Sequence, residues 1–203
     1  MIKITDLTKS FGGRILFSNF NLEIATGEFV VLTGPSGCGK TTLLNMIGAL
    51  EPFEWGEIVV DGINISKKRN LLNYYRNKVG FLFQNFALIE NKTVLENLQM
   101  VKTEFRSGVK IKDALLELGI MDTYGSKVYT LSGGEQQRVA LARLMIKRCD
   151  IILADEPTGS LDKDNSEIII NNLVKLNEAG KTVVLVTHNE EYKKIGRTVE
   201  IAR

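Results

Sequence analysis

The chain has 203 residues, enough for one sizeable domain with a real hydrophobic core. Apolar residues make up 44% and charged residues 25%, with a formal net charge of +2, the ordinary balance of a soluble globular protein. Cys38 and Cys149 are too few for a disulfide framework or a zinc site, and no apolar stretch approaches the roughly 20 residues of a membrane span.

Residues 1–6 alternate charged and apolar side chains, unlike a signal peptide, and with so few cysteines a reducing cytoplasm is expected. Residues 2–7, 21–24, 29–32 and 57–60 read as strands, with Gly12-Gly13, Gly27 and Asp61-Gly62 as turns. Residues 40–50 read as a helix stopped near Pro52. Lys67-Lys68-Arg69 is the longest run of one charge; it is expected to be a solvated loop, and no nucleic-acid partner is expected. Residues 79–83 form a short apolar strand. From about Asn85 to Ile146 the pattern turns helical: Thr93 and Glu96 make a capping box before residues 94–100, and residues 109–118 end at Gly119. Ser132 and Glu135 make a second capping box, opening a helix marked by apolar residues from Val139 to Ile146. Apolar strands return at residues 151–154 and 182–187, with an amphipathic helix between them ending near Gly180. Strands apolar throughout and linked by helices predict an α/β fold whose sheet is covered on both faces.

Gly34-Pro35-Ser36-Gly37-Cys38-Gly39-Lys40-Thr41-Thr42 fits G-x-x-x-x-G-K-[ST] between a strand and an apolar helix. Its glycines let several backbone amides point at one phosphate group. Lys40 is expected to reach the β- and γ-phosphates of a nucleotide, and the Thr41 hydroxyl to ligate Mg²⁺. Cys38 is a free position of the motif; lying near Lys40 and a helix N-terminus, it is expected to be alkylated with loss of nucleotide binding. The strand at residues 151–154 runs into Asp155 and Glu156. Asp155 is placed to hold Mg²⁺, and Glu156, pointing to the opposite side, to deprotonate the attacking water. Asp162 is expected to contact the site, to cap the following helix, or both. His188, the only histidine, ends a buried strand on the edge where open α/β sheets bind ligands, and there can bond the γ-phosphate or the water. Gln84 ends another apolar strand and can complete the Mg²⁺ and water shell, while Phe11 can stack on adenine. The glycines of Leu131-Ser132-Gly133-Gly134-Glu135-Gln136-Gln137 leave first-turn amides open to a phosphate, so one chain carries two phosphate-binding helix N-termini.

Phe11, Gly34 to Thr42, Gln84, Leu131 to Gln137, Ile151 to Glu156, Ser160 to Asp162 and His188 together resemble the ATP-binding subunits of ABC transporters, along essentially the whole chain and in the family's order. The resemblance implies an ATPase with a RecA-like P-loop NTPase core (residues 1–84 and 148–203), an N-terminal antiparallel β subdomain and an inserted α-helical subdomain (residues 85–147) bearing the signature. It implies ATP and Mg²⁺ as ligands and a head-to-tail homodimer in which Ser132, Gly133, Gly134 and Gln137 of one chain complete the ATP site built on Lys40 and Asp155 of the other. It also implies a separate transmembrane permease and a place on the inner face of the cell membrane. Residues 79–86 and 156–162 look like the macrolide-efflux and lipoprotein-releasing subgroup, which favours export of a peptide, lipoprotein or amphipathic compound. Residues 87–92 depart from that subgroup and look closer to ATPases of bacteriocin-type export. The other reading is a non-transport ABC ATPase passing conformational change to a membrane or cell-envelope partner.

Overall fold

A computed structural model describes residues 1–201 of the chain. The amino-terminal part is an antiparallel sheet in the order β2-β1-β4-β5, built from β1 (Ile2–Phe11), β2 (Arg14–Ile24), β4 (Trp55–Val60) and β5 (Ile63–Asn64). β1 buries Ile2, Ile4, Leu7 and Lys9; the alternation skips a step around Asp6, whose φ is 49°, where the ladder to β2 also shifts register. β1 and β2 run on to the Gly12-Gly13 turn, beyond the expected strand ends. Pairings such as Lys9 with Phe17 and Phe11 with Arg14 extend the hairpin through residues too polar to announce it.

The second sheet is parallel, in the order β6-β7-β8-β3-β9: β6 (Val79–Phe83), β7 (Ile151–Asp155), β8 (Thr182–Val186), β3 (Phe29–Thr33) and β9 (Arg197–Glu200). Successive side chains of a strand point to opposite faces, so neighbours join different cores. Val30, Leu32, Leu153 and Val184 pack with the antiparallel sheet and with Leu43, Leu44 and Ile47 of α1 (Lys40–Ile47). Val31, Ile152, Ala154 and Leu185 pack with α5 (Gly133–Ile146) and α6 (Lys163–Glu178). The expected α/β architecture, a parallel sheet covered on both faces beside an antiparallel one, is the one observed. Two shorter helices, α3 (Val94–Gln99) and α4 (Ile111–Glu117), pack against α5, and both capping boxes are formed, Thr93 with Glu96 and Ser132 with Glu135.

Several elements differ from the sequence expectations. Lys67-Lys68-Arg69 is not a loop: Lys67 caps α2 (Lys68–Asn77), and the other two open it, all three exposed. With only Tyr74 buried, this helix has too narrow an apolar stripe to show in a periodicity. α1 stops at Gly48 instead of running to residue 50. The hydroxyls of Tyr74 and Tyr75 on α2 donate to the carbonyls of Ile47 and Ala49 at 2.7 and 2.6 Å, taking over the end of the helix. Residues 85–92 are turns, not helix, with Phe86 and Ala87 at φ of 61° and 49°. β9 escapes the apolar pattern because none of its residues is buried; it is placed by its ladder to β3 and by the pairing of Arg197 with Glu28.

Candidate active site

Parallel strands end on the same side, so the turns after β3, β6, β7 and β8 bring the phosphate loop, Gln84, Asp155 with Glu156, and His188 to one edge. Gly37 and Gly39 of the loop have φ of 71° and 111°, conformations a side chain disfavours. A β-carbon on Gly39 would also stand 2.9 Å from Leu16 and Phe17. Gly39 caps α1 without a side-chain bond, which leaves the first-turn amides free, and Lys40, Thr41 and Thr42 line a cleft of about 670 Å³ with Ser36 and Gly37. That volume lies within the 300–1,000 Å³ or so of small-molecule sites. The Lys40 ammonium is folded onto the loop and donates to the carbonyls of Gly34 and Pro35 at 2.8 and 3.0 Å.

The Thr41 hydroxyl donates to Asp155 Oδ1 at 2.9 Å. Burial pushes the Asp155 carboxyl above its ordinary range, while the Thr41 bond and the Lys40 charge pull it down. Glu156 has φ of 42°, a left-handed conformation that a non-glycine residue holds only under constraint. This turn directs Glu156 towards β8: Oε1 lies 3.3 Å from His188 Nε2, and Oε2 accepts from the His188 backbone N–H at 3.3 Å. Oε1 is buried and has no aligned hydrogen-bond donor. Burial raises Glu156 above the usual carboxylate range, and the nearby His188 ring and N–H oppose the rise. A carboxylate with raised proton affinity and one oxygen free suits proton abstraction.

Gln84 lines the same cleft as Glu156 and also borders the adjoining hollow lined by Asp155, so it is shared by both. Thr41 hydroxyl, Asp155 carboxylate and Gln84 amide oxygen are hard donors of the kind that suit Mg²⁺, and the bond between Thr41 and Asp155 brings two of them together. Phe11, half exposed, forms another wall. Arg14 belongs to no sequence motif. It lines the cleft opposite Phe11 in the hairpin register, and its Nη2 donates to the Gly37 carbonyl at 3.1 Å. A lone arginine after a Gly-Gly turn carries no signal until the hairpin is folded over the loop.

Ser132, Gly133 and Gly134 do not line this cleft. Ser132 and Gly133 are exposed at the start of α5. Gly134 is pressed against α6, where a β-carbon would fall 2.6 Å from the Asn165 amide. Gln137 corrects its expected role. It is fully buried, and its Nε2 donates to the Pro157 carbonyl at 2.7 Å, so it ties α5 to the turn after Glu156 and offers no surface to a ligand. Asp162 caps α6, accepting from the Asn165 backbone N–H at 2.8 Å and its Nδ2 at 2.7 Å, bonds that hold its carboxyl below the usual range. Cys38 is 1% exposed, with Sγ turned into the core, so the expected alkylation is corrected: a reagent has no access to the thiol in the folded chain.

The sequence pattern of the ABC transporter family matches residues 17–159. The lipoprotein-releasing system ATP-binding protein LolD of Bacteroides fragilis is 42% identical over 99% of this chain and 97% of its own. The macrolide export ATP-binding/permease protein MacB of Campylobacter jejuni is 38% identical over 99% of this chain but only 33% of its own length. The dimeric structure of the cassette MJ0796, a protein of Methanocaldococcus jannaschii, superimposes with a TM-score of 0.87 at 39% identity, covering 99% of this chain and 95% of that one. A second structure of that cassette, a post-hydrolysis state bound to ADP and Pi, gives 0.85 at 40% identity, covering 98% and 94%. With most of its length matched by the family pattern and nearly all of it by these relatives, the chain belongs to the ABC transporter family and is one of its ATP-hydrolysing cassettes.

Proposed function

We propose that two copies of this chain close head to tail around two ATP molecules with Mg²⁺ and drive a separate membrane permease that exports a peptide, lipoprotein or amphipathic compound. The observation that carries this reading is the separation within one chain: Lys40, Asp155, Glu156 and His188 share an edge, whereas Ser132 and Gly133 stand exposed elsewhere. A second copy supplies what the cleft lacks. Residues 1–84 and 148–203 are read as the core, of which 202 and 203 lie outside the described residues, and residues 85–147 as the helical subdomain.

In this reading Phe11 stacks on adenine and the loop amides with Ser36, Thr42 and Lys40 cradle the phosphates, Lys40 leaving the Gly34 and Pro35 carbonyls to do so. Thr41, Asp155 and Gln84 hold Mg²⁺, which when bound offsets phosphate charge. Glu156 takes the proton of the attacking water, and His188 orients that water while holding Glu156. The lipoprotein-releasing and macrolide relatives support the lean to export. No helix among the described residues is long and apolar enough to cross a membrane, so attachment to the inner membrane face rests on the permease. A groove bordered by Tyr75, Phe81, Phe83, Ala87, Met100 and Phe105 is suited to receive a permease helix. Ala87 borders it, whereas its neighbours Phe86 and Leu88 pack on the core.

Glu156→Gln tests the chemistry. The variant keeps ATP binding and loses about 10²–10⁴-fold in turnover, the size of a general-base contribution. Hydrolysis at the wild-type rate removes Glu156 from its role.

A further inference from the structure

Lys9 is only 4% exposed, a costly place for an ammonium group. It is met by Glu51 Oε1 at 2.7 Å and the Pro52 carbonyl at 2.8 Å, with Glu54 Oε1 at 3.8 Å. Another side is taken by the ring of Phe11, whose centroid lies 4.3 Å from Nζ. Residues 9 and 11 share a face of β1 because side chains alternate along a strand. Phe11 borders the nucleotide cleft and Lys9 does not, so the ring stands between the ammonium and the cleft. A buried ion pair is an inefficient way to stabilise a sheet compared with apolar packing. Its geometry here serves the ring: the cation fixes the plane of Phe11, and Glu51 and Pro52 fix the cation.

We propose that Lys9 is a positioning residue for base recognition, holding the Phe11 ring at the cleft and drawing its π electrons inward so that the open face stacks more strongly on a purine. The proposal rests on the reading of Phe11 as the adenine contact. An electron-depleted ring is the better partner for an electron-rich base, and a ring already held loses less freedom when the base arrives.

Calorimetric titration of the full chain with ADP and with inorganic pyrophosphate separates base recognition from phosphate binding. Lys9→Met is expected to weaken ADP about threefold to tenfold, the size of a cation–π contact, and to leave pyrophosphate unchanged. Lys9→Arg keeps most of the ADP affinity, because a guanidinium can remain over the ring. In a Phe11→Ala background Lys9→Met has no further effect. Should Lys9→Met fail to fold with Glu51 left unpaired, Lys9→Met combined with Glu51→Gln gives the same comparison. Equal losses for ADP and pyrophosphate, or a loss that persists without the ring, overturn the proposal. So does unchanged ADP affinity in Lys9→Met when Phe11→Ala is weakened. Unchanged ADP affinity in Phe11→Ala is a different result, which overturns the reading of Phe11 itself.

Discussion

Glu156 carries two penalties at one position, a left-handed backbone and a buried carboxylate oxygen without an aligned donor. Both follow from directing the side chain towards His188 instead of letting it stay beside Asp155. Because burial raises its carboxyl above 4.5, the folded chain binds this proton more tightly than the unfolded chain. The stability that goes with protonation is complete below the unfolded value and is lost as pH rises through the folded one. At neutral pH the ionised group therefore destabilises the fold. Glu156→Gln is expected to raise Tm at pH 7, with the gain shrinking to nothing by about pH 4, where the native side chain is neutral too. Thermal melts of both proteins across that range check it; a gain independent of pH assigns the effect to something other than ionisation. That Lys40 and Thr41 open a helix beside the end of the strand bearing Asp155 was legible in the sequence, because glycine spacing and strand ends are local signals. Gln137 and Cys38 were misread because nothing local tells whether a residue inside a motif faces a ligand or the core.

Helix α5 is locked at two points, to the turn after β7 through the bond from Gln137 to Pro157 and to α6 through the contact of Gly134 with Asn165. Asn165 has no freedom to yield, since Asp162 holds both its backbone and its amide. Gly134→Ala is therefore expected to cost about 1–3 kcal/mol by overpacking, seen as a Tm lower by several degrees. Asn165→Ala in the same chain makes room for the methyl group and should restore much of the loss. Without such rescue, the close approach to α6 is not why position 134 is glycine. The element types were readable where apolar runs or capping pairs were strong, as in β7, β8, α3 and α5. They were unreadable in α2 and β9, where hydroxyl bonds to the end of α1 and a ladder to β3 do the placing.

For the whole molecule the expectation is shared sites. Ser132→Arg and Lys40→Ala should each be inactive alone, yet their mixture should recover up to about a quarter of wild-type ATPase activity, since half of randomly paired dimers hold one intact site of two. A mixture no more active than its parts counts against composite sites. The sequence by itself determined the α/β class, the phosphate loop, the carboxylate pair and the signature cap, because each is written in spacings of a few residues that local physics can read. The tertiary structure alone decided that Arg14 reaches the phosphate loop, that Gln137 is a buried tie, and that Lys9 lies behind Phe11. Those placements depend on partners twenty or more residues away, Gly37 for Arg14, Pro157 for Gln137, and Glu51 and Pro52 for Lys9, and burial is a property of the packed chain that no local pattern encodes.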